Sequence, residues 1–177
     1  MKSIDISAGH SNTDPGAVNG EWKEAEQAAL FRNAVAYYLA TAQVPFATDG
    51  SGSVNHPLRQ AAAQAKRHGI AVEFHFNAAA SKTAKGVETL AAQRDRKLAQ
   101  DISAAIASVT ESPLRGDNGY KPENAGQHGR LAFVQAGGLV VELEFISNTT
   151  AMKKFVGVYW KVARAVAEVL IQHAKGA

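Results

Sequence analysis

The sequence predicts an α/β protein: a single layered domain with a mixed, mostly parallel sheet flanked by helices. Three observations predict it. Short strand-like segments alternate with segments of helical spacing along the chain, the pattern of βαβ layering. The length of 177 residues suits one domain, with no internal repeat and no low-complexity linker. Hydrophobic residues make up 46% and charged residues 20%, enough apolar side chain for a packed core without disulfides.

The elements follow in order. Residues 2–7 alternate, with Ile4 and Ile6 on one face, and predict a first strand. The run from Ser7 to Gly16 is rich in turn chemistry. Helical spacing covers 23–42, where Phe31, Val35, Tyr38 and Leu39 fall on one side. A short strand is expected at 44–48, then a glycine-serine loop at 50–53. A helix opened by Pro57 runs to about His68, with Gly69 as its C-cap. Residues 70–76 predict a central strand. A strand at 86–91, a helix at 94–109 and a long loop at 111–129 follow. Strands are expected at 131–135 and 139–145. A final helix spans 151–174, with Phe155, Tyr159, Val162, Val166, Val169 and Leu170 as its apolar stripe.

Composition narrows the chemistry. There is no cysteine, so thiol nucleophiles, thiolate metal sites and disulfides are excluded, and any metal must be held by His, Asp or Glu. The net charge of +3 is too small to choose among anionic partners. No arginine-rich run or aromatic-basic interleaving marks a nucleic-acid module, so no nucleic-acid partner is expected. No stretch approaches the ~20 apolar residues of a membrane span, and no apolar leader precedes the first strand. The expectation is a product made in the cytoplasm, monomeric and without stable membrane insertion.

Four residues carry the candidate chemistry: His10, Glu24, His75 and Glu142. In parallel sheets, sites form at the carboxyl ends of strands, and His10 follows the first strand. Glu24 heads the stripe of Ala28, Phe31 and Val35, which can turn a carboxylate inward. Glu142 sits in a strand too apolar for an exposed edge, where a carboxylate needs a proton, a cation or hydrogen-bond donors. Two histidines and a carboxylate form a common catalytic zinc set with one open position, and a second carboxylate can serve as general base and acid. Each residue alone has a plainer reading. A strand histidine is more often packed and hydrogen-bonded, Glu24 suits a helix amino terminus, and Glu142 could belong to an ion pair. His68 and His173 sit in last helical turns, His56 reads as solvated, and His128 in the long loop is a weaker candidate for substrate contact. No compact local metal motif is present.

Taken together, the segments resemble one family. Ile4-Asp5-Ile6-Ser7-Ala8-Gly9-His10, with Asp14-Pro15-Gly16-Ala17 after it, is similar to the first zinc-ligand motif of the zinc-dependent N-acetylmuramoyl-L-alanine amidases of the third amidase family. These are found in bacterial wall-remodelling enzymes and phage endolysins. Trp22-Lys23-Glu24-Ala25-Glu26 resembles the segment giving the carboxylate ligand, and Phe74-His75-Phe76-Asn77-Ala78 the second histidine motif. Gly86-Val87-Glu88-Thr89 resembles the strand after it. The run from Val140 to Asn148 resembles the segment bearing the catalytic glutamate, and Leu58-Arg59 matches a Leu-x-x-Arg region only loosely.

The resemblance implies one catalytic amidase domain over 1–177, with Zn2+ held by His10, Glu24 and His75 and Glu142 as catalytic acid and base. It implies peptidoglycan as partner and cleavage between N-acetylmuramic acid and L-alanine. Small size, with no leader and no wall-binding repeat in view, points to phage-mediated host lysis as the expected setting, the protein reaching the wall after release; a cytoplasmic or prophage-encoded wall-recycling amidase is the rival within the same chemistry. The candidate substrate contacts are Asn77, Glu88, Arg115 and Glu144, with Lys121 and Arg130 bordering the groove. Glu144 competes with Glu142, and Glu26 and Glu21 compete with Glu24. Where the family carries an arginine-bearing motif after the second strand, this chain reads Ala47-Thr48-Asp49-Gly50. A zinc peptidase acting within the stem peptide and a non-catalytic wall-binding module are the alternatives.

Overall fold

The computed structural model describes residues 1–124 and 129–176. In chain order the elements are β1 (Ile4–Ala8), β2 (Val18–Asn19), β3 (Trp22–Lys23), α1 (Glu24–Thr41), β4 (Phe46–Thr48), α2 (Leu58–Ala65) and β5 (Ile70–Asn77). Then come β6 (Glu88–Ala91), α3 (Arg96–Thr110), β7 (Tyr120–Pro122), α4 (Ala132–Gln135), β8 (Leu139–Phe145) and α5 (Thr149–Lys175). One sheet has the strand order β4-β1-β5-β8-β6-β7, while β2 and β3 form a small antiparallel pair. β4, β1, β5 and β8 run parallel. β6 runs antiparallel to β8 and parallel to β7. The result is the mixed, mostly parallel, single-domain sheet expected from the sequence.

Strand alternation decides what each face of the sheet carries. Ile4 and Ile6 of β1, Val72, Phe74 and Phe76 of β5, and Val141 and Leu143 of β8 are buried in one large cluster. α1 adds Phe31, Val35 and Leu39, α3 adds Leu98, Ile102 and Ile106, and α5 adds Phe155, Val162, Val166 and Leu170. Each such side chain contributes about 1.5–3 kcal/mol by leaving water, which makes this face the core. The opposite face has a lighter cover: α2 and α4 bring Ala61, Ala65, Phe133 and Val134 against Ala71, Val140 and Leu90. Those two helices have 8 and 4 residues. On the same side of the sheet, the alternate positions of β5 and β8 carry Glu73, His75 and Glu142.

Five local expectations are corrected. In place of the strand expected at 131–135, Ala132–Gln135 form the short helix α4, with Phe133 and Val134 both buried; a short apolar run carries no period that separates helix from strand. Inside the expected long loop, Tyr120–Pro122 pairs with β6 as β7. Pro57 is the N-cap of α2 rather than its first helical residue. α2 stops at Ala65 with Lys66 as its cap, so Gly69 belongs to the turn that follows, where its N–H donates to Ser3 Oγ. α5 starts earlier than its apolar stripe because the Asn148 side chain caps it, accepting from Ala151 N at 3.1 Å.

Candidate metal centre

β1 ends at Ala8 and delivers His10 in a left-handed backbone conformation, φ 64°, a state that concentrates at functional sites in non-glycine residues. Glu24 is the first residue of α1. Its Oε2 also accepts from Ala17 N at 3.0 Å, and its Oε1 from Phe76 N at 3.1 Å, so the turn after β1 and the end of β5 both hold it. His75 comes from β5, next to β1 in the sheet.

The three side chains converge. His10 Nε2 lies 2.9 Å from Glu24 Oε2, and His75 Nδ1 lies 3.0 Å from Glu24 Oε1. One ligand atom from each of the three lies within 4.8 Å of the others. The imidazole centroids are 5.1 Å apart. Glu26 pairs with Lys23 on the surface at 2.8 Å, and Glu21 is exposed, so Glu24 is the carboxylate that reaches the histidines.

Two glycines make room. A Cβ on Gly9 would stand 2.3–2.5 Å from the His75 ring, and one on Gly16 would stand 2.5–2.8 Å from His10 and Glu24. Each far nitrogen has an outer carboxylate: Asp14 Oδ2 is 3.0 Å from His10 Nδ1, and Glu73 Oε2 is 3.0 Å from His75 Nε2.

The electrostatics favour a cation at this point. Burial opposes charge on both imidazoles, yet the hydrogen bonds to Glu24, with Asp14 or Glu73 added, raise both above the ordinary histidine value, His75 strongly. Burial opposes the Glu24 charge as well, and the two histidines hold its carboxyl far below the usual range. Glu142 is Cα partner of His75 in the β5–β8 ladder. Burial pushes its carboxyl up to about 7, and its Oε2 is enclosed with no hydrogen-bond partner among the described residues. A divalent ion fits this donor set, because it can replace the protons that the carboxylates draw onto the two imidazoles and gives the buried Glu142 carboxyl a cation to face.

The other candidates fall into two groups. Glu88 is the register partner of Glu142 on the other side of β8. It accepts from Asn77 Nδ2 at 3.1 Å and lies 2.6 Å from Arg115 Nε and 2.8 Å from Lys121 Nζ. Asn77, Glu88, Arg115 and Lys121 thus form one polar patch beside Glu142. Glu144 stands apart: it is buried, Oε1 accepts from Gly86 N at 2.8 Å and Phe145 N at 2.9 Å, and Oε2 accepts from Ser112 Oγ. Those bonds tie β8 to the segments that carry Gly86 and Ser112. His173 pairs with Asp101, and His128 lies outside the described residues.

Sequence reasoning passed over Glu73 and Arg32. Glu73 shares the His75 face of β5, and strand alternation is the signal that could have found it. Arg32 is fully buried and its Nη1 donates to Asp49 Oδ1 at 2.9 Å. Asp49 therefore receives an arginine from α1 where the expected arginine motif is missing. Lys23, Asn33, Asn12, Asn55 and Ala29 line a separate concavity of about 730 Å³ between α1 and the 52–55 loop.

The family model described as N-acetylmuramoyl-L-alanine amidase matches residues 4–172. The chain belongs to this amidase family. Among solved structures, a Neisseria meningitidis protein provisionally assigned as an N-acetylmuramoyl-L-alanine amidase is 46% identical, with 99% of this chain and 97% of that one covered and a TM-score of 0.90. The catalytic domain of CwlV, an amidase from Bacillus (Paenibacillus) polymyxa, shares the fold at 20% identity, with 99% of each chain covered and a TM-score of 0.84. The catalytic domain of the CD27L endolysin, which targets Clostridia difficile, shares it at 16% identity, covering 99% of this chain and 98% of that one, with a TM-score of 0.70. A search of curated proteins found no match.

Proposed function

We propose that this amidase hydrolyses the bond between N-acetylmuramic acid and L-alanine in peptidoglycan, with zinc held by His10, Glu24 and His75 and with Glu142 as general base and acid. The observation that carries the reading is the convergence of two imidazoles and one carboxylate within 4.8 Å, beside a carboxyl whose proton equilibrium is set by burial to about 7. Family membership supports the substrate and the bond.

Zinc in such a set supplies Lewis acidity and makes a water acidic near neutral pH. The chain supplies the rest. Glu142 takes a proton from the water that adds to the lactyl carbonyl carbon, then returns it to the nitrogen of L-alanine as the carbon–nitrogen bond breaks. An acid and a free amine result, so atoms and charge balance. Burial holds the Glu142 carboxyl well above the ordinary carboxylate range, the direction that suits a group that both takes and returns a proton. Glu88, with Asn77, Arg115 and Lys121 around it, lines the approach and is positioned to hold polar groups of the stem peptide.

Mass spectrometry of digested sacculi tests the reading. The expected products are intact stem peptides with L-alanine at the amino terminus. Peptides cut internally would indicate a stem-peptide peptidase, and tight sacculus binding without zinc or products would indicate a binding module. Phage-mediated lysis by a monomer released from the cytoplasm is the setting carried with this proposal. Lysis of cells expressing the protein without a membrane-permeabilising partner would count against release. Among the described residues, no helix is long and apolar enough to cross a membrane.

A further inference from the structure

We infer that Glu73 is a positioning residue for the metal centre, fixing His75 as the tautomer that offers the lone pair of Nδ1 to the ion. This rests on the metal reading above and adds a residue to it.

His75 has two nitrogens with different surroundings. Nδ1 faces Glu24, which also faces His10, so Nδ1 points into the three-residue cluster. Nε2 lies 3.0 Å from Glu73 Oε2, and Glu73 is outside the cluster. An ionised carboxylate only accepts, so the pair is satisfied when Nε2 carries the proton and donates it. That leaves Nδ1 unprotonated, as a metal ligand must be. A carboxylate behind a ligating histidine fixes the ring and raises its basicity.

Three observations show that the pair is built rather than incidental. Glu73 is 3% exposed, so its charge is poorly screened and needs a donor. His75 is the one hydrogen-bond partner of its carboxylate among the described residues. The two side chains are at positions i and i+2 of one strand, so β5 itself aims them at the same face. Gly9 closes the third side, since any side chain there would strike the His75 ring. His10 has a counterpart in Asp14, but that carboxylate is 63% exposed and is a looser hold.

The test compares wild type, Glu73→Gln and Glu73→Leu for zinc affinity by chelator competition, alongside the melting temperature of the metal-free forms. Leucine fills the buried space without an acceptor, while glutamine keeps one. Glu73→Leu is expected to weaken zinc binding about 10- to 100-fold, with Glu73→Gln in between. Nitrogen-15 NMR of zinc-loaded wild type supplies a readout that a purely structural role would not move: the proton of His75 is expected on Nε2. Zinc affinity of Glu73→Leu within twofold of wild type, or a proton found on Nδ1, would overturn the proposal while leaving the metal site standing. Wild type that binds no zinc at all would overturn the metal reading and this proposal with it.

Discussion

Glu142 and His75 are register partners on the adjacent parallel strands β8 and β5, and Glu142 Oε2 is enclosed there with no hydrogen-bond donor among the described residues. Backbone pairing therefore fixes the acid beside the imidazole. Glu142→Gln keeps size and hydrogen-bonding shape but removes the base, and kcat on peptidoglycan should fall about 100- to 10,000-fold. Zinc content should stay at one per chain, measured by elemental analysis.

The companion substitution Glu144→Gln should behave in the opposite way. Its carboxylate accepts from Gly86 N, Phe145 N and Ser112 Oγ, so the change weakens two backbone ties and disturbs a third. Stability should drop by about 1–3 kcal/mol in urea melts, while the folded protein keeps most of its turnover. Equal loss of turnover in both variants would move the catalytic role off Glu142.

Gly9→Ala isolates the cradle under His75. Gly9 has no positive φ, so the backbone accepts alanine, but the new Cβ would stand 2.3–2.5 Å from three atoms of the ring. The ring must shift, and its Nδ1 with it. Zinc affinity should fall at least tenfold in chelator competition, with the melting temperature of the metal-free protein changing far less. Unchanged affinity would show that the ring can relocate without leaving the ion.

Much of this was legible beforehand, and the reasons are physical. The strand patterns at 70–76 and 139–145 singled out His75 and Glu142, and the stripe Glu24, Ala28, Phe31 and Val35 turned Glu24 inward, where it is buried. What stayed hidden was short or non-local. α4 and β7 have 4 and 3 residues, too few to show a period. Arg32 reads as a surface helix residue until Asp49, 17 positions away, is brought to it. The outer carboxylates were legible only as neighbours, because which nitrogen of a histidine faces which oxygen is settled by tertiary placement.

The Arg32–Asp49 pair should behave as a buried ion pair whose halves depend on each other. Both side chains are essentially inaccessible. Asp49 also accepts from Ala8 N, and Arg32 Nη2 donates to Val54 O at 2.9 Å. The pair thus pins α1 and the 50–54 loop to the end of β1, just before His10. Arg32→Met strands the carboxylate and should cost about 3–5 kcal/mol. Arg32→Met combined with Asp49→Asn should recover part of that loss in a urea double-mutant cycle; strict additivity would mean the two side chains act separately.

Asp5 provides a test by pH at a distance from the chemistry. It lies on β1, is fully buried, and has Oδ2 without a partner among the described residues. Its Oδ1 accepts from Gln64 Nε2 of α2 at 2.5 Å. Burial pushes its carboxyl up to about 6 from 3.8, against the Gln64 hydrogen bond and the nearby His68. A raised carboxyl means that the folded state binds the proton more tightly. The stability this adds is complete below about pH 4 and is lost as pH rises through about 6. Wild type should therefore weaken across that window relative to Asp5→Asn, which carries no charge and can still accept from Gln64. The gap in unfolding free energy should be small at pH 4 and should favour the variant by about 2–3 kcal/mol at pH 8, read from urea melts of the metal-free proteins. A gap that is constant from pH 4 to pH 8 would mean that Asp5 is already ionised at the acid end, with its enclosed oxygen solvated.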